Sequence, residues 1–128
     1  MKKLLIALCC LTSLAVFAQD STKAKQKQYL GVLTLTEKYK EEKNWSKSDE
    51  AIVGEHFQRL IKSKDDGIVI LAGRTDYQLN NPDMMGLIIF YAKDDAAALQ
   101  FMNEDPAVKN KIMLAKVHPY GVAVNKCD

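Results

Sequence analysis

Residues 68–92, IVILAGRTDYQLNNPDMMGLIIFYA, decide the fold of this chain. They open with a continuous apolar run over residues 68–72 and close with a second one over residues 84–92. Between these runs, residues 74–82 (RTDYQLNNP) are rich in turn-forming residues. We therefore predict two strands joined as a hairpin by a generous loop, the first of them covered on both faces.

A strand of alternating pattern precedes the hairpin. In YLGVLTLT, residues 29–36, alternation places Leu30 and Val32 on one face and Leu33 and Leu35 on the other. This predicts the first strand of the domain.

The next segment, residues 37–47, is charged and contains the isolated aromatic residues Tyr39 and Trp45. This composition favours a solvated loop. The alternative is a lid that folds back over a site.

An amphipathic helix follows, capped by Ser46 or Ser48 and continuing to about Lys64. It ends at Asp66-Gly67, because glycine accepts the left-handed conformation of many helix ends. The helix face predicted to turn toward the sheet carries the apolar residues Ile52, Val53, Phe57, Leu60 and Ile61. His56 occupies the one position of this inward stripe that is not apolar. The predicted solvated face consists of Glu55, Gln58, Arg59 and Lys62.

The second half of the chain predicts one more helix and one more strand. Asp94 caps a helix that ends before Pro106, and its inward residues are Ala98, Leu99 and Met102. Residues 112–120 (IMLAKVHPY) form the last strand, in which Pro119 marks an exit or an edge position.

The element order β-α-β-β-α-β predicts an α+β fold, a ferredoxin-like sandwich of one antiparallel sheet with two helices on one face. The helices can hide only one face of the sheet. Both faces need cover, because the strands are strongly apolar at Leu33, Ile68, Ile70, Leu87 and Ile89. We therefore expect a homodimer formed through the open sheet face.

The N-terminus predicts export. Residues 1–18 combine two lysines, an apolar run too short to cross a bilayer, and a cleavage site near Ala18-Gln19. We therefore expect a periplasmic or secreted protein with a signal peptide (1–18), a flexible leader (19–28), one domain (29–124) and a C-terminal tail (125–128). Cleavage removes two of the three cysteines and leaves Cys127, which we interpret as inert.

Charge gives no support to a nucleic-acid or membrane partner. The full chain has 18 basic and 16 acidic residues. Cleavage removes Lys2 and Lys3 and no acidic residue, so the mature chain is balanced. We expect no nucleic-acid partner, and no membrane partner after signal cleavage.

His56 and Asp105 are the first candidates for chemistry. An imidazole on an inward helix stripe needs a hydrogen-bond partner, and both helices cover the same sheet face, so Asp105 can approach it. A histidine oriented by a carboxylate is the usual form of a general base. Two alternatives remain open: a purely structural histidine, and an Asp105 that bonds only its own backbone before Pro106.

Arg74 is the second candidate, because a guanidinium at the end of a buried strand can bind a carboxylate or phenolate. The topology suggests that it lies far from Asp105, in which case it serves an internal salt bridge or the partner subunit. His118 is a weaker candidate. Neither metal-ligand spacing nor a nucleotide-binding glycine loop is present in the sequence, so we expect no metal and no cofactor.

Several blocks of the sequence resemble the YciI-like (YCII-related) family. They are Gly54-Glu55-His56 in a helix, ILAGRT at residues 70–75, NEDPAV at 103–108 and AKVHPY at 115–120. The resemblance covers residues 29–124. It implies a ferredoxin-like dimer of the dimeric α+β barrel type, and a His and Asp dyad carried here by His56 and Asp105.

The resemblance supports a site more than it names a substrate. One relative lineage dehydrochlorinates a chlorinated hydroquinone, whereas the export signal and the charged segment 37–47 are not typical of small cytoplasmic members. We expect proton transfer of the lyase or isomerase type on a small organic acid or phenol, with Arg74 and the adjacent Thr75 binding the substrate. The alternative is a non-catalytic dimeric module that binds a small molecule.

Overall fold

The computed structural model describes residues 26–124. The predicted signal peptide, most of the predicted leader, and the tail with Cys127 lie outside the described residues. The elements are β1 (Lys27–Leu35), two 3-10 turns (Glu37–Lys40 and Glu42–Asn44), α1 (Lys47–Asp65), β2 (Val69–Arg74), β3 (Gly86–Ala92), α2 (Asp95–Asn103), α3 (Pro106–Lys109) and β4 (Met113–Tyr120).

The four strands form one antiparallel sheet in the order β2-β3-β1-β4. The element order and this strand order are those of the ferredoxin-like α+β fold, which confirms the fold class. β2 and β4 are the sheet edges, so Pro119 lies on an edge strand, as expected.

β1 lies at the centre of the fold because its alternation matches the two layers. Its odd-numbered residues from Tyr29 to Leu35 are all buried, and the even-numbered ones are half-buried on the opposite face. The strand begins at Lys27, two residues inside the predicted leader. The Tyr29 hydroxyl donates to Asp95 at 2.7 Å, a bond that anchors the start of α2 and raises the pKa of Tyr29 to about 12.

The core lies between the helices and one sheet face. Its main cluster contains Phe90 and Met102, both fully buried. A second cluster lies where β1 and β4 meet α3 and the 3-10 turns, and it includes Tyr39. The charged segment 37–47 is therefore not simply a solvated loop, because the Tyr39 ring is part of this core.

Two inward assignments from the sequence are wrong. Phe57 of α1 is 59% exposed and Leu99 of α2 is 49% exposed. Both lie at the margin of an apolar stripe, where spacing alone does not show whether the neighbouring element reaches them.

β2 is also less covered than expected. Only Val69 is buried, and residues from Leu71 onward are exposed. The strand lies at the edge of the sheet, with an irregularity between Val69 and Leu71, so a single chain cannot cover both of its faces.

Candidate active site

Two helix caps position the candidate pair. Ser46 and Asp49 form a reciprocal capping box at the start of α1, the helix that carries His56. At the start of α3, the Asp105 carboxylate accepts the backbone N–H of Ala107 through Oδ1 at 2.9 Å. Pro106 explains why the chain breaks here, since proline ends α2 and suits the first position of the next helix.

The contact between His56 and Asp105 expected from the topology is present. His56 Nδ1 lies 2.7 Å from Asp105 Oδ2, and the two side chains are 11% and 2% exposed. An ionised carboxylate can only accept, so Nδ1 carries the proton of this bond. In the neutral imidazole, Nε2 is then the nitrogen with a free lone pair.

The two readings of Asp105 are compatible. One oxygen caps α3, as the local reading requires, and the other binds His56. The cap fixes the carboxylate, and the fixed carboxylate orients the imidazole.

Arg59 is a third member of this cluster, and its assignment to the solvated face is wrong. Its Nη1 lies 3.5 Å from Asp105 Oδ2, and its Nη2 donates to the Phe101 carbonyl at 2.6 Å. The guanidinium also lies 4.3 Å from the centre of the Phe101 ring. The sequence carried one signal for this, since residues three apart on a helix are neighbours and Arg59 follows His56 by three.

These neighbours keep Asp105 ionised. Burial alone raises the pKa of Asp105, but the hydrogen bond and positive charge of His56, the Ala107 N–H and the Arg59 guanidinium outweigh it. The net effect holds the pKa of Asp105 below its ordinary value. The carboxylate is therefore available as an acceptor at neutral pH.

His56 also lines a cleft of about 690 Å³ between α1 and the sheet. The volume lies within the range of small-molecule sites, and most of the wall is apolar. The apolar wall residues include Val53, Phe57, Leu60, Ile61, Leu79 and Met84. Asp105 is not part of the wall, so the acid reaches the cleft only through the imidazole.

Arg74 lines the same cleft as His56, which corrects the expectation that it is remote. After the turn at Gly67, β2 runs back along α1. Arg74 lies about 16 Å along the strand from Val69, where β2 begins, and His56 lies about 14 Å along the helix from Asp65, where α1 ends. The sequence argument placed Arg74 far from Asp105, whereas in the structure Arg74 lies on the wall of the cleft that His56 lines, and Asp105 contacts His56 from outside that wall.

The other sequence candidates lie elsewhere. The Thr75 hydroxyl donates to the Asp83 carbonyl at 2.8 Å and accepts the Met85 N–H at 3.0 Å, so it holds the loop between β2 and β3. Thr75 lines a smaller hollow on the open sheet face and does not line the cleft. His118 is exposed on β4, opposite Leu30.

Trp45 is part of the cleft wall, and its indole ring is held in place by two contacts with Tyr39. Its indole N–H donates to the Tyr39 carbonyl at 2.9 Å, and the two rings meet edge to face at 5.1 Å. The Tyr39 hydroxyl in turn donates to Asp49 at 3.0 Å. The chain holds one tryptophan, so this residue reports on the cleft.

Within residues 26–124, no group of three or more His, Cys, Asp or Glu side chains could hold a metal ion. In the same part of the chain, no helix has the length and apolar character needed to cross a membrane.

The comparison with protein families gives one match. The family model of the YCII-related domain matches residues 32–118, from the last four residues of β1 through most of β4, and the match includes His56, Arg74 and Asp105. A search of curated proteins found no match to the chain.

Asp105→Asn tests the electrostatics of the cluster. We expect it to lower the free energy of unfolding by about 3 kcal/mol at pH 5, because it removes the charge that faces His56 and Arg59. The pKa of Asp105 is lower in the folded state than in the unfolded chain. The carboxylate therefore adds to the free energy of unfolding at pH values above its unfolded-state pKa, and this contribution is lost as the pH falls. The difference in the free energy of unfolding between wild type and Asp105→Asn should therefore narrow below about pH 4.

Chemical denaturation between pH 2.5 and 6 measures this difference. Glu104→Gln is the matched control, because this neighbouring carboxylate is exposed and its loss should change stability by less than about 0.5 kcal/mol. A difference between Asp105→Asn and wild type that stays constant with pH would contradict the assignment.

Proposed function

The chain belongs to the YCII-related domain family. We propose that it is an exported small-molecule enzyme in which His56, oriented by Asp105, transfers a proton. The reaction is of the lyase or isomerase type, on a small organic acid or phenol. The observation that carries the proposal is the 2.7 Å contact of a cleft-lining imidazole with a buried carboxylate. The proposal includes export, with residues 1–18 acting as a cleavable signal peptide. An exported protein whose N-terminal residue is still Met1 would contradict the cleavage.

The proton transfer follows from the geometry of the pair. The proton on His56 Nδ1 stays on that nitrogen and is donated in a hydrogen bond to Asp105. The other ring nitrogen, Nε2, therefore takes a proton from the substrate carbon or hydroxyl. The imidazolium that forms has its positive charge next to the Asp105 carboxylate, which stabilises it. The same proton then returns to the substrate at another atom, or it leaves with a departing group.

Arg74 has the role of binding the substrate anion. Among residues 26–124, no side chain forms a hydrogen bond or an ion pair with Arg74. An unpaired guanidinium on the wall of an apolar cleft favours a carboxylate or phenolate at that point.

His56→Asn tests catalysis. The asparagine amide can donate to Asp105 and keep the contact, but it supplies no second ring nitrogen to take a proton. We expect turnover to fall by about 10²- to 10⁴-fold with nearly unchanged ligand affinity. A thermal-shift screen against small carboxylates and phenols identifies the compounds to assay.

His118→Asn is the matched control, because this histidine is exposed outside the cleft. It lies on the open sheet face opposite Leu30, so the dimeric state of this variant is measured together with its turnover. Unchanged turnover in folded His56→Asn protein would exclude His56 as the group that transfers the proton.

The second candidate function is a non-catalytic binding module. It is favoured by the cleft wall, in which, among residues 26–124, His56, Lys64 and Arg74 are the only titratable side chains. A binding module predicts that no compound that binds is converted by the wild-type protein, and that substitution of His56 changes affinity alone.

We also propose that the chain forms a homodimer through the open sheet face. This face carries Leu30 and Val32 of β1, Leu87 of β3 and Leu114 of β4. Val32 pairs directly with Leu87. Leu114 is 57% exposed in the single chain and Leu87 is 37% exposed. An apolar sheet face of this kind is stabilised by a second sheet packed on it.

Leu87→Glu tests the dimer, because a charge at the centre of the face cannot be buried against a partner without a counter-ion. We expect wild-type dimers at micromolar concentration and monomers of the variant, measured by light scattering. Leu99→Glu is the control, since Leu99 is exposed on α2 on the other side of the molecule. A wild-type monomer would contradict the proposal.

A further inference from the structure

The length of the cleft sets a first constraint on its ligand. Its helical wall extends from Val53 to Lys64 of α1, which is about 16 Å. The facing wall is β2 from Val69 to Arg74. A compact acid such as acetate would leave most of this wall in contact with water.

The charges of the cleft set a second constraint. No aspartate or glutamate of the described residues lines it. At one end, Lys64 is exposed and pairs with Asp65 at 3.0 Å, so its charge is balanced. At the other end, the guanidinium of Arg74 has no ion-pair or hydrogen-bond partner within residues 26–124. Within the part of the chain that the structure describes, the cleft therefore offers one exposed cation without a protein counter-charge, Arg74, at the end where His56 lies.

The wall between these ends offers few polar groups. Phe57, Leu60 and Ile61 form the helical side, and the indole N–H of Trp45 is already bonded to the Tyr39 carbonyl. A ligand body that lies along this wall gains by being apolar, since it finds few donors or acceptors there.

We propose that the cleft binds an elongated amphiphilic monocarboxylate, with its carboxylate on Arg74 and its apolar body along α1 toward Lys64. This inference rests on the proposed function only in using the same cleft, and it narrows the ligand from small organic acids in general to those with an extended apolar tail. Phe57, which is exposed on α1, lies on the wall of the cleft and contacts the tail.

The experiment measures binding of acetate, butyrate, hexanoate and octanoate to the mature protein, by calorimetry and by Trp45 fluorescence. We expect affinity to rise by about fourfold for each added methylene, because each one is removed from water by the apolar wall. Octanoate should perturb Trp45, and it should bind at least about tenfold more tightly than octanol or octylamine.

Arg74→Met tests the anchor. It should remove the preference for octanoate over octanol, whereas Lys93→Met, which removes an exposed cation outside the cleft, should leave the preference intact. His56→Asn should still bind octanoate. If the wild-type protein binds monocarboxylates but converts none of them, this inference is supported, whereas proton transfer on a monocarboxylate is excluded.

Three outcomes would overturn the inference. In the first, octanoate binds no more tightly than acetate. In the second, octanoate binding is unchanged in Arg74→Met. In the third, octylamine binds as tightly as octanoate.

Discussion

The burial of the Asp105 carboxylate is the constraint on which the candidate site depends. An isolated ionised carboxylate in the interior costs on the order of several kcal/mol, so it is retained only where its lone pairs are used. Here they accept from the Ala107 N–H, from His56 and from Arg59. These contacts tie α1 to the junction between α2 and α3, and they fix the imidazole that faces the cleft.

The cleft follows from how the helices cover the sheet. α2 packs closely on the sheet, with Ala98 and Met102 in the main core. α1 contacts the edge strand β2 less completely, and Phe57 stays exposed over the gap. The volume between them is therefore a consequence of the fold, and the residues on its wall decide what it binds.

The edge strand β2 also lines the hollow on the open sheet face. A partner packed on that face would therefore contact the back of the cleft wall.

Most of the fold could be predicted from local pattern, because the alternation of β1, the cap at Asp94, the stop at Gly67 and the break at Pro106 are each determined by a few neighbouring residues. The His56–Asp105 contact was accessible for a related reason. Both helices had to lie on one face, which brings the end of α2 beside α1.

Features that depend on side chains from distant segments could not be predicted in the same way. Arg59 looked like a solvated helix position because the carbonyl and ring of Phe101, which hold it, lie 42 residues further along the chain. Arg74 was expected to lie far from Asp105 because the direction of α2, which runs opposite to α1, was not taken into account. The exposure of Phe57 and Leu99 depends on how far each helix stands from the sheet, which periodicity does not encode.

The tautomer of His56 tests the central claim most directly. A long-range proton–nitrogen correlation spectrum, recorded with the imidazole neutral and assigned with His118→Gln, shows which ring nitrogen carries hydrogen. The account predicts a proton on Nδ1, slow to exchange and shifted downfield by the Asp105 carboxylate, and loss of this signal in Asp105→Ala. A proton on Nε2, or an Nδ1 signal indifferent to Asp105→Ala, would contradict it.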